Sequence, residues 1–146
     1  MTYGIRTKPT WEPPTAASEA PVISARNLSL FVREGRSRIR IVSDVSFEIR
    51  AGEFFALVGE SGSGKTMIAR AIMRLLPKSL LDIEGELEFC GISLTDLSES
   101  KMRSLRGGAI SMIFQEPMTS LDPLMTVGRQ IEETLELHSG LGRKKR

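Results

Sequence analysis

The amino-acid sequence predicts an α/β fold, in which an antiparallel β region is followed by a strand, a loop and a helix. Val45, Phe47 and Ile49 alternate with polar residues, which is the period of two typical of a half-buried strand. The run Phe54–Val58 is continuously apolar and bounded by glycine, as expected for a strand covered on both faces in a parallel sheet. Further on, apolar residues recur at helical spacing over residues 68–76, and a proline ends the pattern.

The N-terminal part of the chain divides into a leader and a folded region that begins near residue 22. Residues 1–21 are rich in proline, alanine, serine and threonine, a composition that buries little surface and predicts a flexible leader. A first strand is predicted over Val22–Val32, a charged turn over Arg33–Arg38, and the returning strand over Ile39–Val42. Together with the alternating strand that follows, these segments make up the predicted antiparallel region.

The second half of the chain alternates short strands and helices. Strands are predicted over Gly85–Phe89 and Ala109–Phe114, with a helix over Ser98–Arg106 between them. A last helix is indicated by apolar residues at a spacing of four, which are Val127, Ile131 and Leu135. We therefore expect one domain over residues 22–142, followed by a basic tail over residues 143–146.

Composition and charge exclude several classes of protein. Of the 146 residues, 20 are Lys or Arg and 18 are Asp or Glu, so the net charge of +2 gives no reason to expect a nucleic-acid partner. A single cysteine, Cys90, excludes an internal disulfide and a cysteine-rich metal site. No apolar run reaches the ~20 residues that span a bilayer, so any membrane association is expected to go through a protein partner.

One segment of the chain carries a strong phosphate-binding signal. It matches the pattern G-x-x-x-x-G-K-[ST] throughout and lies between the apolar strand and the amphipathic helix, as that motif requires. Its residues are Gly59, Glu60, Ser61, Gly62, Ser63, Gly64, Lys65 and Thr66. The alternative is a glycine-rich turn with a surface lysine, which leaves the flanking strand and helix unexplained.

The residue types in this loop suit a polyphosphate. Glycines lack a Cβ atom, so the backbone can curl until its N–H groups converge on phosphate oxygens, and we expect these groups to come from Gly62, Ser63, Gly64 and Lys65. The helix that starts near Lys65 directs the positive end of its dipole at the same anion. The Lys65 ammonium is expected to reach the β and γ phosphates of ATP, and the Thr66 hydroxyl to bind Mg²⁺.

About fifty residues further on, a second segment indicates the family. Residues 112–123, with the sequence M-I-F-Q-E-P-M-T-S-L-D-P, closely resemble the Q-loop segment of ABC transporter ATPases. In that family a strand delivers a glutamine to Mg²⁺ and the attacking water, and Gln115 occupies that position here. Segments 102–107 and 124–131, with the phosphate loop itself, resemble the oligopeptide and dipeptide branch, and the resemblance extends roughly over residues 22–142.

The resemblance implies the N-terminal part of a P-loop NTPase domain of the ABC type. Its fold would contain an antiparallel β subdomain and, in this length of chain, an incomplete core sheet. The implied function is to bind ATP, with Mg²⁺, and to energise the import of peptides. The implied partners are transmembrane permease subunits, a second ATP-binding subunit and, through the complex, a solute-binding protein. The implied location is the cytoplasmic face of the bacterial inner membrane, as a peripheral protein.

Two residues have competing interpretations. Gln115 is the expected catalytic residue and Mg²⁺ ligand, and the alternative is an exposed glutamine at a strand end before an ordinary proline-containing loop. ABC ATPases stack an aromatic ring on adenine at the end of the first strand, and Phe31 lies at about that point. A phenylalanine on the first strand can equally belong to the core.

Three further features have structural interpretations. His138, the only histidine, lies near the end of a helix and is expected to cap or pack there. Cys90 is expected to behave as a small buried hydrophobic residue. The tail over residues 143–146 is expected to be solvated rather than to anchor lipid or nucleic acid.

Other motifs of ABC ATPases do not occur in these 146 residues. There is no L-S-G-G-Q signature, no apolar strand that ends in Asp-Glu, and no histidine in the context of the family's switch residue. Two classes of function follow, the energy-coupling ATPase subunit and a truncated, non-catalytic remnant that at most binds nucleotide or a transmembrane partner. A phosphate-loop kinase or GTPase would need an acceptor site or a guanine-reading motif, and neither is visible.

We expect the 146-residue chain by itself to release phosphate from Mg-ATP only at the background rate. Gln115 can orient water, but no carboxylate is placed as a general base and no signature loop closes on the γ phosphate. The strand Phe54–Val58 would lack neighbours along its edges, so we also expect a broad thermal unfolding transition. Phosphate-release assays and thermal unfolding test the two expectations. Turnover that disappears in Lys65→Ala would contradict the first, and a sharp cooperative transition the second.

Overall fold

Four strands form an antiparallel sheet in a computed structural model of the chain, which describes residues 20–77, 79–116 and 121–138. The strands are β1 Ile23–Glu34, β2 Ser37–Ile49, β3 Leu81–Phe89 and β4 Ile92–Ser93. Their order in the sheet is β2-β1-β3-β4, so the long β1 is paired along both edges. The sequence prediction of an antiparallel β region is confirmed, with β2 continuous where two short strands were expected.

Helices occupy three stretches of the described chain, close to their predicted positions. They are α1 Lys65–Ile72, α2 Glu99–Leu105 and α3 Val127–His138. The described chain divides into two compact units, the first comprising its residues up to 103 and the second its residues from 104 onward. The sheet and α1 lie in the first unit and α3 in the second. In the part of the chain that the structure describes, no helix has the length and apolar character needed to cross a bilayer.

The core of the first unit is built from aliphatic side chains of the sheet and of the segments after it. Its largest fully buried side chains are those of Leu28, Leu30, Leu87, Leu94 and Met102. Helix α1 adds Ile68 and Ala71, which lie three residues apart and therefore share one face. Complete burial of a leucine contributes about 1.5–3 kcal/mol, so this cluster is a principal source of stability for the sheet.

Two bulges bend the sheet, and each is held by a serine from the neighbouring strand. Asn27 in β1 and Asp44 in β2 both have a positive φ of 49°. The Asn27 N–H donates to Ser46 Oγ at 2.9 Å, and the Asp44 N–H donates to Ser29 Oγ at 3.0 Å. On β3, a Cβ atom at Gly85 would overlap the carbonyl oxygen of Asn27. Only glycine therefore allows β3 to approach the bulge in β1.

Helix α1 ends earlier than predicted. The sequence pattern extends over residues 68–76, whereas the helix ends at Ile72 with Met73 as its C-cap. Arg74 adopts a left-handed φ of 47°, and the Leu75 N–H donates to the Arg70 carbonyl at 3.0 Å, as in a Schellman motif. The Arg74 guanidinium donates to the carbonyl of Leu97 at 2.6 Å, which compensates for a conformation that usually requires glycine.

The predicted buried strand over Phe54–Val58 is wrong. Residues 53–60 have no regular secondary structure, and the side chains of Phe54 and Val58 are fully or almost fully exposed. Phe55 alone retains a close aromatic contact, a stacked ring pair with Phe47 at a centroid distance of 5.1 Å. A strand requires hydrogen bonds to a neighbouring strand, and no described segment pairs with this one.

The predicted strand over Ala109–Phe114 is wrong for the same reason. The segment contributes a single bridge, between Ile110 and Arg106, and the residues after it have no regular secondary structure. Ile113 is 92% exposed, although its apolar neighbours in sequence indicated a covered strand. The pattern of apolar residues shows that a segment is suited to burial. The segment is buried only where another element of the fold covers it.

Some of the sequence predictions concern residues outside the described ranges. They include most of the leader over residues 1–21, the tail over residues 143–146 and the side chain of His138. Cys90 lies in the two-residue turn between β3 and β4, with a φ of 49°. It forms no disulfide and is half-buried rather than fully buried.

Ionic contacts join the three long strands on the face that carries Phe31. Asp82 on β3 accepts from Arg33 Nε at 2.9 Å and from Arg38 Nε at 3.2 Å, and Glu84 accepts from Arg38 Nη2 at 2.6 Å. The hydrogen bond from Arg33 lowers the pKa of the Asp82 carboxyl below its usual value and raises that of the Arg33 guanidinium. Asp82 therefore stabilises the folded state as a carboxylate.

We expect Asp82→Asn to lower the melting temperature at pH 7, because it removes the charge that joins the three strands. Since the folded-state pKa is lowered, this stabilisation is present above the ordinary carboxyl pKa of about 4 and is lost as the pH falls through the folded-state value. The difference in melting temperature between Asp82→Asn and wild type should therefore shrink below about pH 4. Glu34→Gln, on the same sheet, is the control. A difference that does not change between pH 7 and pH 3 would show that the charge of Asp82 has no such role.

Candidate phosphate-binding site

The glycine-rich loop packs against strand β2 and turns directly into helix α1. Gly64, the N-cap of α1, has φ 88° and ψ 4°, a left-handed conformation that favours glycine. A Cβ atom at this position would lie 2.6 Å from Val42 Cγ2 and 3.1 Å from the Ile41 carbonyl oxygen. Gly64 therefore permits both the turn and the close approach to β2, and a larger residue would push the loop away from the sheet.

The first turn of α1 presents N–H groups that have no acceptor inside the helix. No side chain caps the helix at Gly64, and the first intrahelical hydrogen bond runs from the Ile68 N–H to the Gly64 carbonyl at 3.0 Å. The N–H groups of Lys65, Thr66 and Met67 precede it and cannot bond within the helix. Such donors, at the positive end of the helix dipole, bind anions.

One expected backbone donor has another partner. The Ser63 N–H donates to the Glu60 carbonyl at 3.2 Å, which closes a turn inside the loop. Gly62 has a positive φ of 83°, so the loop bends a second time one residue earlier. In this conformation Ser63 contributes to the shape of the loop, and its side chain faces Lys65.

The Lys65 ammonium is held by the loop itself. Its Nζ donates to the carbonyls of Gly59 at 2.7 Å and Glu60 at 2.6 Å, and to Ser63 Oγ at 3.2 Å. The three bonds place the positive charge within the loop, beside the N-terminus of α1. This arrangement combines a cation with unpaired N–H groups, which is the donor set that a polyphosphate requires.

A magnesium ion would find few protein ligands here. Among the residues that the structure describes, no group of three or more His, Cys, Asp or Glu side chains could hold a metal ion. Thr66 is exposed on the first turn of α1, so its hydroxyl is accessible. Mg²⁺ commonly takes one or two protein oxygens and completes its shell with water and phosphate oxygens, and a single hydroxyl fits that pattern.

Phe31 belongs to the sheet rather than to an open binding surface. Its side chain is 5% exposed, and the guanidinium carbon of Arg38 lies 3.5 Å from the ring centroid. Arg40 approaches the same ring at 5.1 Å. An adenine base could stack on Phe31 only if Arg38 moved away, so the arrangement favours the core interpretation.

Gln115 is exposed and lies in the second unit, in a segment without regular secondary structure. The expected strand that would deliver it is not formed there. Residues 59–66 are therefore the part of the predicted site that the structure assembles in one place. The role of Gln115 as a ligand of Mg²⁺ and of the attacking water remains a prediction.

Sequence reasoning missed the support that the loop receives from its surroundings. Ile41 and Val42 contact the position of Gly64, and the Ser63 hydroxyl contacts Lys65. The motif leaves the residue type at position 63 open, and Ile41 and Val42 lie more than twenty residues before Gly64 in the chain. The glycine before Lys65 was the only available signal, since an obligatory glycine often marks a close backbone approach.

Comparison with known proteins identifies the family. The family model described as ABC transporter matches residues 42–145. The chain belongs to this family, which confirms the resemblance found in the sequence.

The relatives of this chain include ATP-binding proteins of peptide transport. The chain is 46% identical over 124 residues to the uncharacterized ABC transporter ATP-binding protein YejF of Escherichia coli, covering 84% of this chain and 23% of that protein. It is 43% identical over 122 residues to the dipeptide transport ATP-binding protein DppD of Lactococcus lactis, covering 84% of this chain and 35% of that protein. The chain thus spans about a quarter to a third of these relatives.

A solved structure confirms the fold class. The chain superposes on the dimeric structure of MJ0796, a bacterial ABC transporter cassette, with a TM-score of 0.69 and 27% identity. The match covers 84% of this chain and 51% of that one. A further structure of MJ0796, in a post-hydrolysis state bound to ADP and phosphate, matches equally well. The predicted fold class, an α/β fold of the ABC ATPase type with an antiparallel β subdomain, is confirmed, and its core sheet is incomplete to the extent that neither Phe54–Val58 nor Ala109–Phe114 forms a strand.

Proposed function

We propose that this chain is the phosphate-binding part of an ATP-binding subunit that energises peptide import by an ABC transporter. The loop over residues 59–66 carries the proposal, because it joins a lysine ammonium to the unpaired N–H groups of a helix N-terminus. The similarity to a dipeptide transport ATP-binding protein supports peptides as the transported class. The cassette bound to ADP and phosphate supports a nucleotide as the ligand.

Each residue of the loop has a proposed role. The backbone from Gly59 to Gly64 encloses the phosphates, Lys65 neutralises their charge, and the Thr66 hydroxyl contributes an oxygen to Mg²⁺. When bound, Mg²⁺ neutralises negative charge on the β and γ phosphates. Gln115 is proposed to act on the same metal and to orient water. Phe31 is proposed to support the sheet, since Arg38 covers its ring.

The proposed partners follow from the family. The MJ0796 cassette is dimeric, which supports a second ATP-binding subunit as a partner of this chain. Transmembrane permease subunits and, through them, a solute-binding protein are the further proposed partners. They would hold the chain at the cytoplasmic face of the inner membrane as a peripheral subunit.

The residues just before α3, 121–125, have a surface suited to a partner. The side-chain amide of Gln130 on α3 forms hydrogen bonds with the loop before this helix. Its Nε2 donates to the carbonyls of Asp122 and Met125, each at 3.1 Å. Its Oε1 accepts from the Asp122 N–H at 3.2 Å. Asp122 Oδ1 also accepts from the Leu124 N–H at 2.8 Å. These bonds fix the loop while Leu124 is 94% exposed. We propose that this leucine contacts a permease subunit.

A second function, nucleotide binding without turnover, is favoured by one observation. Phe54, Val58 and Ile113 are exposed, so two segments that the sequence suits to a core sheet are uncovered in the described chain. A chain in this state can bind phosphate through its loop, while the strand expected to carry Gln115 is not formed. Phosphate release, measured beside nucleotide binding, distinguishes the two functions.

We expect Lys65→Ala to weaken binding of a fluorescent ATP analogue by roughly 10- to 150-fold. A hydrogen bond to a charged group typically contributes about 1.5–3 kcal/mol, and Lys65 is the ammonium within the loop. Lys101→Ala, which removes an exposed lysine on α2, is the matched control. Thermal unfolding of both variants shows whether the fold is retained. Equal affinities of Lys65→Ala and wild type would exclude the loop as the nucleotide site.

We expect a cysteine at position 124 to crosslink to a permease subunit encoded beside this chain. The experiment uses Leu124→Cys in a Cys90→Ser background, so that the introduced cysteine is the single cysteine of the chain. Ser100→Cys, which is exposed on α2, is the control. Crosslinking from position 124 in membranes, with little from position 100, supports the docking surface. Equal crosslinking from both positions would show that Leu124 has no special role.

A further inference from the structure

The hydrogen-bonding capacity of Lys65 is fully used by the loop. An ammonium group has three N–H donors and no acceptor. Lys65 Nζ has three acceptors within reach, which are the carbonyls of Gly59 and Glu60 and the hydroxyl of Ser63. A phosphate oxygen can therefore bind this ammonium fully only if it displaces one of the three.

The three acceptors differ in strength and mobility. The two carbonyls lie 2.7 Å and 2.6 Å from Nζ, whereas Ser63 Oγ lies at 3.2 Å. Charge-assisted N–H···O bonds are usually about 2.7–2.9 Å long, so the bond to Ser63 is the weakest of the three. The carbonyls belong to the backbone of the folded loop, whereas Ser63 is exposed and its hydroxyl can rotate toward water. The Ser63 hydroxyl is thus the acceptor that a ligand displaces most easily.

The loop makes room for this contact. A Cβ atom at Gly59 would lie 2.7 Å from Ser63 Oγ, so glycine at position 59 allows the hydroxyl to reach the ammonium. The Ser63 N–H donates to the Glu60 carbonyl at 3.2 Å, which fixes the backbone that carries this hydroxyl. The loop therefore places the Ser63 hydroxyl within reach of the Lys65 ammonium, although the phosphate-loop motif leaves the residue type at position 63 open.

We propose that the Ser63 hydroxyl is a built-in competitor for the Lys65 ammonium, which a phosphate oxygen of the ligand replaces. The proposal rests on the function proposed above, and it makes Ser63 a positioning residue. The hydroxyl holds the ammonium beside the N-terminus of α1. On binding, Lys65 exchanges this bond for a bond to phosphate, and the broken bond lowers the affinity that the loop would otherwise have.

Ser63→Ala should therefore bind a fluorescent ATP analogue more tightly than wild type, by about two- to tenfold, because one hydrogen bond, which is long for a charged donor, no longer has to be broken. Inorganic pyrophosphate, measured by competition, should show the same gain, since the effect concerns phosphate alone. Ser63→Thr, which keeps a hydroxyl, should bind like wild type. Ser100→Ala, on the exposed surface of α2, is the control and should leave both affinities unchanged.

A second set of measurements separates this role from a general effect on the loop. In a Lys65→Ala background the hydroxyl has no ammonium to hold, so adding Ser63→Ala should change neither affinity. A purely structural effect of Ser63 would persist in that background and would overturn the proposal. Thermal unfolding of each variant shows that the fold is retained.

Each of the remaining outcomes would overturn the inference about Ser63. If wild type binds both probes and Ser63→Ala binds them equally well or more weakly, the inference is overturned and the proposed function is not. Weaker binding would mean that the hydroxyl turns and donates to the phosphate. A wild-type chain that binds neither probe overturns the proposed function and this inference together.

Discussion

The left-handed conformation of Gly64 is the constraint on which the candidate site depends. It turns the loop into α1 and brings the backbone against Ile41 and Val42 of β2. The antiparallel sheet thereby becomes the support for the loop. The direction of α1, and with it the direction of its unpaired N–H groups, follows from this single contact, because a side chain at position 64 would collide with β2.

The sheet that supports the loop is itself held by local devices. Two bulges place backbone N–H groups where serines of the neighbouring strand accept from them, and Gly85 allows β3 to approach the first bulge. Arg33 and Arg38 meet Asp82 across the strands, and Arg38 also covers Phe31. The same arginine that stabilises the sheet therefore covers the ring face on which an adenine base was expected to stack.

Within the loop, one lysine serves two purposes. It neutralises the carbonyl dipoles of Gly59 and Glu60, which converge on it in the curled backbone. Those carbonyls keep the ammonium where an anion would need it, so little rearrangement is required for binding. The serine between the two glycines adds a third, weaker bond, which adjusts how strongly the ammonium is held.

The sequence by itself determined the local elements and the chemistry of the loop. The hairpin of β1 and β2, the positions of α2 and α3 and the identity of residues 59–66 follow from periodicity, turn residues and a motif whose spacing reflects phosphate geometry. These features depend on neighbours that are close in the chain. Only the tertiary structure decided that Phe54–Val58 and Ala109–Phe114 do not form the expected strands, that α1 ends at Ile72, and that Ser63 contacts Lys65. Strands need partners that are distant in sequence, and side-chain contacts need a folded backbone, so neither can be read from local pattern alone.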